Sequence, residues 1–279
     1  MGRFEFIELD VKELNTKKLL RVYLPNDYSE ENKYPVLYMH DGQNIYEEDT
    51  SAFNMSWNVH NVIEDLVSKD IISPLIVVGI DCNESIEGTR MDEYSPWQCT
   101  FKMDSSEENL EDEDFKKMAN LGGLGDLYGD FLVNKVKPLI DERYSTLMDR
   151  ENTLLAGSSM GGIITLYLGL KYNNIFSKLG CFSSAFFFSI EPLVEFLKES
   201  EIQNEMKLYF DVGTRESGNE NNFFIDHAYI DTNNTIVDLI KEKNDPNLQD
   251  ILYVIEEGAI HNEIAWNRRF PKFLKWILN

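Results

Sequence analysis

Residues 153–161 read Thr153-Leu154-Leu155-Ala156-Gly157-Ser158-Ser159-Met160-Gly161, and they constrain the fold more than any other stretch. A short apolar run meets G-x-S-x-G and passes into an apolar pattern of helical spacing. That succession reads as a buried strand turning sharply into a helix. Gly157 and Gly161 lack a Cβ, so the backbone can bend tightly and the helix can pack close to the strand. The turn lifts the Ser159 hydroxyl clear of the sheet. A helix N-terminus beneath it favours developing negative charge. Ser159 is thus a candidate nucleophile. The competing reading is a glycine-rich connection whose serines only cap the helix. A base and an acid further along the chain would decide between them.

Strand and helix patterns alternate through the rest of the chain. Phe4–Asp10 and Leu19–Leu24 read as two early antiparallel strands, and Val36–Met39 and Leu75–Ile80 as buried ones. Ser56–Lys69 has helical spacing between them. Asp126–Glu142 is helical, followed by the Thr153–Ala156 strand and a helix from Gly161 to Tyr172. Strands at Lys178–Phe182, Lys207–Val212 and Ile251–Ile255 then alternate with helices at Leu193–Glu199, Thr235–Lys243 and Ala265–Leu278. This pattern predicts an α/β fold, a mostly parallel central sheet with helices on both faces and right-handed crossovers. With no repeat or linker, residues 1–279 read as one domain carrying a loop insertion at about 82–125. The acidic run Glu107–Asp114 inside the insertion reads as a solvated face.

Composition narrows the function. The net charge of −23 repels phosphate backbones and argues against nucleic acid. No apolar run approaches the roughly 18 residues that would span a membrane. The N-terminus lacks a charged region followed by an apolar one, so a cytoplasmic location is expected. Cys82, Cys99 and Cys181 are an odd number without close spacing, which argues against a disulfide framework or a zinc site.

Serine hydrolysis needs a base beside the hydroxyl and a carboxylate that orients the base. In strand–turn–helix sites of this kind the order is serine, acid, histidine. His40 and His60 precede Ser159, which leaves His227 and His261. His261 is preferred because it follows the last strand, at the end where open parallel sheets place their sites. His227 falls in a polar stretch, 215–234. For the acid, Glu216 in the loop after Gly213 is preferred over Asp211 within the preceding strand. The oxyanion hole needs two backbone N–H groups. Met160 supplies one, and the loop His40-Asp41-Gly42-Gln43-Asn44 the other, through Gln43 or Gly42. His40 and Asp41 could suggest a metal, but no further His or Cys cluster supports one. Trp57, Tyr94, Trp97, Phe186 and Trp266 are candidates to line a pocket, with Trp97 and Trp266 chosen as substrate contacts.

Five ordered motifs together resemble the Putative esterase (esterase D-like) family. They are Tyr38-Met39-His40-Asp41-Gly42-Gln43-Asn44, Gly122-Gly123-Leu124-Gly125-Asp126-Leu127-Tyr128, Gly157-Ser158-Ser159-Met160-Gly161-Gly162, Gly213-Thr214-Arg215-Glu216 and His261-Asn262-Glu263-Ile264-Ala265-Trp266. The resemblance spans about residues 5 to 277 and is nearer the enterochelin and feruloyl-type esterases than the S-formylglutathione hydrolases. It implies an α/β-hydrolase fold, no cofactor and a Ser159–Glu216–His261 mechanism. Arg90-Met91-Asp92-Glu93-Tyr94-Ser95-Pro96 also resembles a family segment near the site, where Arg90 and Glu93 would hold the structure or shape the pocket. The expected activity is hydrolysis of a small or medium acyl, aryl or sugar ester through an acyl-enzyme. The alternatives are an acyltransferase with the same triad and a non-catalytic binding protein of the same fold.

Overall fold

The computed structural model describes residues 2–51, 54–82, 89–100 and 120–279. Strands β1 (Arg3–Val11) and β2 (Thr16–Leu24) form an antiparallel hairpin. A 3-10 turn and Asn15, in the left-handed conformation at φ 49°, close it. Strands β3 (Val36–His40) and β4 (Ile76–Ile80) are short and wholly buried, as is β5 (Thr153–Ser158). β6 (Lys178–Phe182), β7 (Lys207–Gly213) and β8 (Asp250–Glu256) complete one eight-stranded sheet in the order β1-β2-β4-β3-β5-β6-β7-β8. β2 runs antiparallel to β4, and every pair from β4 through β8 is parallel. The middle strands are apolar at nearly every position because helices cover both faces.

The helices are α1 (Val59–Ser68), α2 (Thr89–Glu93), α3 (Gly125–Phe131) and α4 (Lys137–Arg143), the last two joined through a π-turn at Leu132–Val136. They continue with α5 (Met160–Lys171), α6 (Ile190–Glu199), α7 (Phe223–Lys243) and α8 (Glu263–Ile277). α1 and α8 cover one face, where Val59, Ile63, Phe270 and Phe273 pack on Leu37, Val77, Leu154 and Tyr209. α3, α5, α6 and α7 cover the other, where Tyr128, Ile163, Leu193 and Ile236 pack on Tyr38, Val78, Leu155 and Phe210.

Two expectations change. α7 begins at Phe223 rather than near Thr235, so His227 lies exposed on a helix and not in a loop. Its buried positions, Asp226, Tyr229, Asn233, Ile236, Val237 and Ile240, do follow helical spacing. Two of the first three are polar, so hydrophobic periodicity does not reveal them. Asn233 is accommodated because its amide donates to the Ser184 carbonyl at 2.8 Å and the Tyr229 carbonyl at 2.9 Å. The stretch read as an insertion contains α2 and a bridge between Gln98 and Gly122. Its acidic run, Glu107–Asp114, lies outside the described residues.

α2 is fastened to the sheet by an ion pair between Lys18 of β2 and Glu93, with side chains 0% and 1% exposed. The Lys18 ammonium also lies 5.9 Å from the centre of the Tyr128 ring. Removing one partner of such a pair strands the other charge in a poorly solvating interior, at a cost of about 3–5 kcal/mol. Lys18→Met is therefore expected to lower the urea midpoint substantially, and Lys18→Met/Glu93→Leu to recover most of the loss. A single variant as stable as the wild type would refute that role for the pair.

Candidate active site

Ser159 stands between the end of β5 and the start of α5 with φ 59° and ψ −122°, a conformation L-residues rarely adopt. Its surroundings enforce it. The Ser159 N–H donates to the Phe182 carbonyl at 2.9 Å, and its own carbonyl accepts from the N–H groups of Gly162 and Ala185, both at 3.0 Å. A Cβ on Gly157 would come within 2.7 Å of the Gly161 carbonyl oxygen, and one on Gly162 within 2.0 Å of the Ser184 hydroxyl. Gly161 has more room, its nearest neighbour being the His40 Cβ at 3.4 Å. The close approach therefore depends on Gly157 and Gly162 rather than on Gly157 and Gly161. Met160 is the first residue of α5, so its N–H has no carbonyl one turn back.

His261 lies between β8 and α8, and Glu216 in the turn after β7. The His261 Nδ1 is 2.7 Å from Glu216 Oε2, and the His261 backbone N–H donates to the Glu216 carbonyl at 3.2 Å. The Glu216 side chain is fully buried. Its Oε1 accepts from the Ser183 hydroxyl at 2.6 Å and the Gly213 N–H at 2.5 Å. The Ser183 oxygen in turn accepts from Trp266 Nε1 at 3.0 Å and Arg269 Nη2 at 2.9 Å. Indole and guanidinium groups only donate, so the single Ser183 proton is directed to Glu216. The acid is thereby held with one oxygen free to face the imidazole. The ring of His261 sits against those of Tyr229 and Trp266, with centroids 4.7 and 4.9 Å away.

Asp211 is engaged elsewhere. It meets Arg269 Nη2 at 3.2 Å, the Tyr209 hydroxyl at 2.9 Å and the Ser183 N–H at 3.1 Å. Burial pushes its carboxyl up to about 7, against the pull of Arg269. Of the two acids the sequence offers, the structure brings Glu216 to His261.

Ser159 and His261 line one cavity of about 270 Å³, with Asn44, Met55, Arg90 and Trp266 among its other walls. The loop after β3 is tied to the Ser159 turn by Arg90, whose guanidinium grips Asp41 at 2.7 and 2.9 Å and donates to the Ser158 carbonyl at 3.3 Å. Asp41 is left-handed at φ 55°, and its N–H donates to the Tyr94 hydroxyl at 3.0 Å. Gln43 is buried in this loop, its side-chain oxygen accepting from the Cys82 N–H at 3.0 Å. Trp266 walls the cavity. Trp97 packs instead on Tyr167 and Phe196, at 5.2 and 5.8 Å between ring centres, and is not among the cavity-lining residues. Trp57, Tyr94 and Phe186 are core residues, each at most 2% exposed. Tyr229 and Ser183 are site residues that sequence reasoning missed, whereas Asn44 lies in the loop it singled out. Only helical spacing through the polar start of α7 could have flagged Tyr229.

His40 is buried, with Nδ1 2.7 Å from the Tyr128 hydroxyl. Among the described residues, no group of three His, Cys, Asp or Glu side chains is gathered to hold a metal ion. Burial lowers the His40 pKa from 6.5 to about 3. Between those values the unfolded chain binds a proton at this position that the folded chain does not. Stability is therefore expected to fall as pH drops below about 6.5, by about 1.4 kcal/mol per pH unit for each such group. His60, lowered by burial as well, adds to the slope. Urea unfolding followed from pH 7 downward should show a shallower dependence for His40→Gln, and equal slopes would mean that the folded protein protonates His40 normally.

A parallel sheet with a serine turn after β5, and an acid and a histidine after β7 and β8, is the architecture of an α/β hydrolase. The chain matches the family model described as Putative esterase over residues 11–277. It belongs to that family and is a carboxylic-ester hydrolase. The uncharacterized protein YbbA of Bacillus subtilis (strain 168) is 24% identical over 258 residues, 92% of this chain and 90% of the relative. A ferulic acid esterase from Anaeromyces mucronatus, solved in complex with ferulic acid, superposes with a TM-score of 0.65 at 23% identity, covering 100% of this chain and 92% of that one. The enterobactin esterase FES from Shigella flexneri, solved in the presence of enterobactin, gives 0.70 at 16% identity over 99% of this chain and 58% of that one. At these identities the two structures share the fold. No helix among the described residues is long and apolar enough to cross a membrane.

Proposed function

We propose that this chain hydrolyses small or medium acyl, aryl or sugar esters through an acyl-enzyme on Ser159. Ser159 attacks the carbonyl carbon while His261 accepts its proton. Glu216 stabilises the resulting imidazolium and keeps the imidazole in the tautomer that leaves Nε2 bare. The N–H groups of Met160 and Gln43 hold the oxyanion. His261 then returns the proton to the departing alcohol. In the second half it activates the water that releases the acid.

The observation that carries this reading is the 2.7 Å contact between His261 Nδ1 and Glu216 Oε2 beside a cavity that Ser159 lines. Trp266 offers an aromatic wall there, in keeping with the aromatic ester that the name ferulic acid esterase implies for a structural neighbour. A substrate reaching Trp97 would have to extend beyond this cavity. The charge of −23 favours a neutral or cationic ester over an anionic one.

Treatment with a fluorophosphonate, followed by peptide mass spectrometry, should place one adduct on Ser159. The same preparation should hydrolyse p-nitrophenyl acetate and methyl ferulate. A folded protein with an unmodified Ser159 would overturn the reading.

A further inference from the structure

We propose that Ser183 is a positioning residue of the triad, carrying the charge of Arg269 to the back of Glu216 and so setting the basicity of His261. This inference rests on the acyl-enzyme reading above. Ser183 follows β6, fully buried and left-handed at φ 39°. Glycine takes that conformation without strain, so a side chain here has a cost that its hydroxyl must offset. The backbone is held in place, because the Ser183 N–H donates to the Asp211 carbonyl at 2.9 Å and to Asp211 Oδ1 at 3.1 Å.

The geometry around Arg269 separates this role from a plain salt bridge. An arginine docked on a carboxylate for pairing alone frequently uses both prongs of its fork. Here the Arg269 Nη2 meets Asp211 Oδ1 at 3.2 Å, and the same nitrogen donates to the Ser183 oxygen at 2.9 Å. Nε and Nη1 make no hydrogen bond among the described residues, and Nη1 stands 3.6 Å from Glu256 Oε2. Trp266 Nε1 donates to the Ser183 oxygen from a second direction, at 3.0 Å. With both lone pairs filled by donors, the Ser183 proton goes to Glu216 Oε1, 2.6 Å away. The cation draws electron density from the hydroxyl and strengthens its donation. Ser183 keeps its proton throughout, and no bond to it is made or broken.

The effect reaches His261 through Glu216. A carboxylate that accepts strongly on Oε1 holds less charge on Oε2 and draws a proton onto the imidazole less firmly. Without the Ser183 donor, Oε1 keeps the Gly213 N–H alone. The buried charge is then less well stabilised, and the Glu216–His261 pair takes up a proton at higher pH. The other charged and titratable groups around the pair stay in place. They are Tyr229 from α7, Asp41 and Arg90 across the cavity, Glu263 from α8, and Asp211 of β7 behind Glu216.

Ser183→Ala deletes the donor and leaves the cavity wall untouched, since Ser183 is not among the residues lining it. For p-nitrophenyl acetate, kcat is expected to fall about tenfold with KM nearly unchanged, as for loss of a hydrogen bond to a charged group. The acid limb of the kcat/KM profile should move to higher pH. Ser183→Cys keeps a weaker donor and should fall between the two, and it carries the test should alanine prevent folding. A role in packing alone would lower the urea midpoint and leave the acid limb at its wild-type position. An unmoved limb, or wild-type kcat, in a folded Ser183 variant overturns this inference alone. A wild-type protein that takes no label at Ser159 overturns the acyl-enzyme reading, and this inference with it.

Discussion

Replacing Ser159 by alanine is expected to abolish ester hydrolysis and leave the fold unchanged. Alanine keeps the Cβ, so the positive φ of 59° is no more strained than before. The three backbone hydrogen bonds that hold the turn do not use the hydroxyl. What disappears is the hydroxyl proposed as the nucleophile. Removing the nucleophile from a serine triad costs on the order of 10⁴–10⁶ in kcat, the remainder coming from binding and the oxyanion hole. The measurement is turnover of p-nitrophenyl acetate beside a urea unfolding curve. Undiminished turnover would assign the chemistry to another group, and lost activity with a lowered midpoint would report misfolding instead.

The second large effect belongs to Glu216→Gln, and it follows from the hydrogen bonds on the far side of the carboxylate. Oε1 receives two donors, the Ser183 hydroxyl and the Gly213 N–H. A glutamine there must turn its carbonyl oxygen toward those donors. Its NH2 group then faces His261 Nδ1, which can only respond as an acceptor. The ring proton is driven to Nε2, and the base is lost although the geometry is intact. A wrong tautomer of this kind costs about 10⁴ in kcat. Asp211→Asn supplies the contrast. Asp211 contacts Arg269, Tyr209 and Ser183, so this change should reduce stability far more than turnover. If Asp211→Asn were the inactive variant and Glu216→Gln the active one, the assignment of the acid would be reversed.

Much of the site was legible along the chain because its chemistry is ordered. The turn at Ser159 is a local pattern, and His261 follows the last strand. The choice between Glu216 and Asp211 was not local. It depends on Arg269, 53 residues beyond Glu216 in the sequence, folding back to occupy Asp211 and Ser183 at once. Tyr229 was missed for a different reason. The first three turns of α7 bury Asp226 and Asn233 along with it, and polar core positions erase the periodicity by which a helix is recognised. Trp97 shows the opposite error, an aromatic residue near a motif that folds onto Tyr167 and Phe196 instead of toward the serine.

The short helix α2 has a practical consequence for anyone who wishes to retarget this enzyme. Arg90 links the loop after β3 to the end of β5, and three residues later Glu93 anchors on β2. α2 is therefore a buckle between the loop after β3, the end of β5 and β2. A transplanted segment that omits Arg90 would loosen the alignment of the loop after β3 with the Ser159 turn. Loop libraries should treat Arg90 and Glu93 as part of the chassis, and vary the sequence around them.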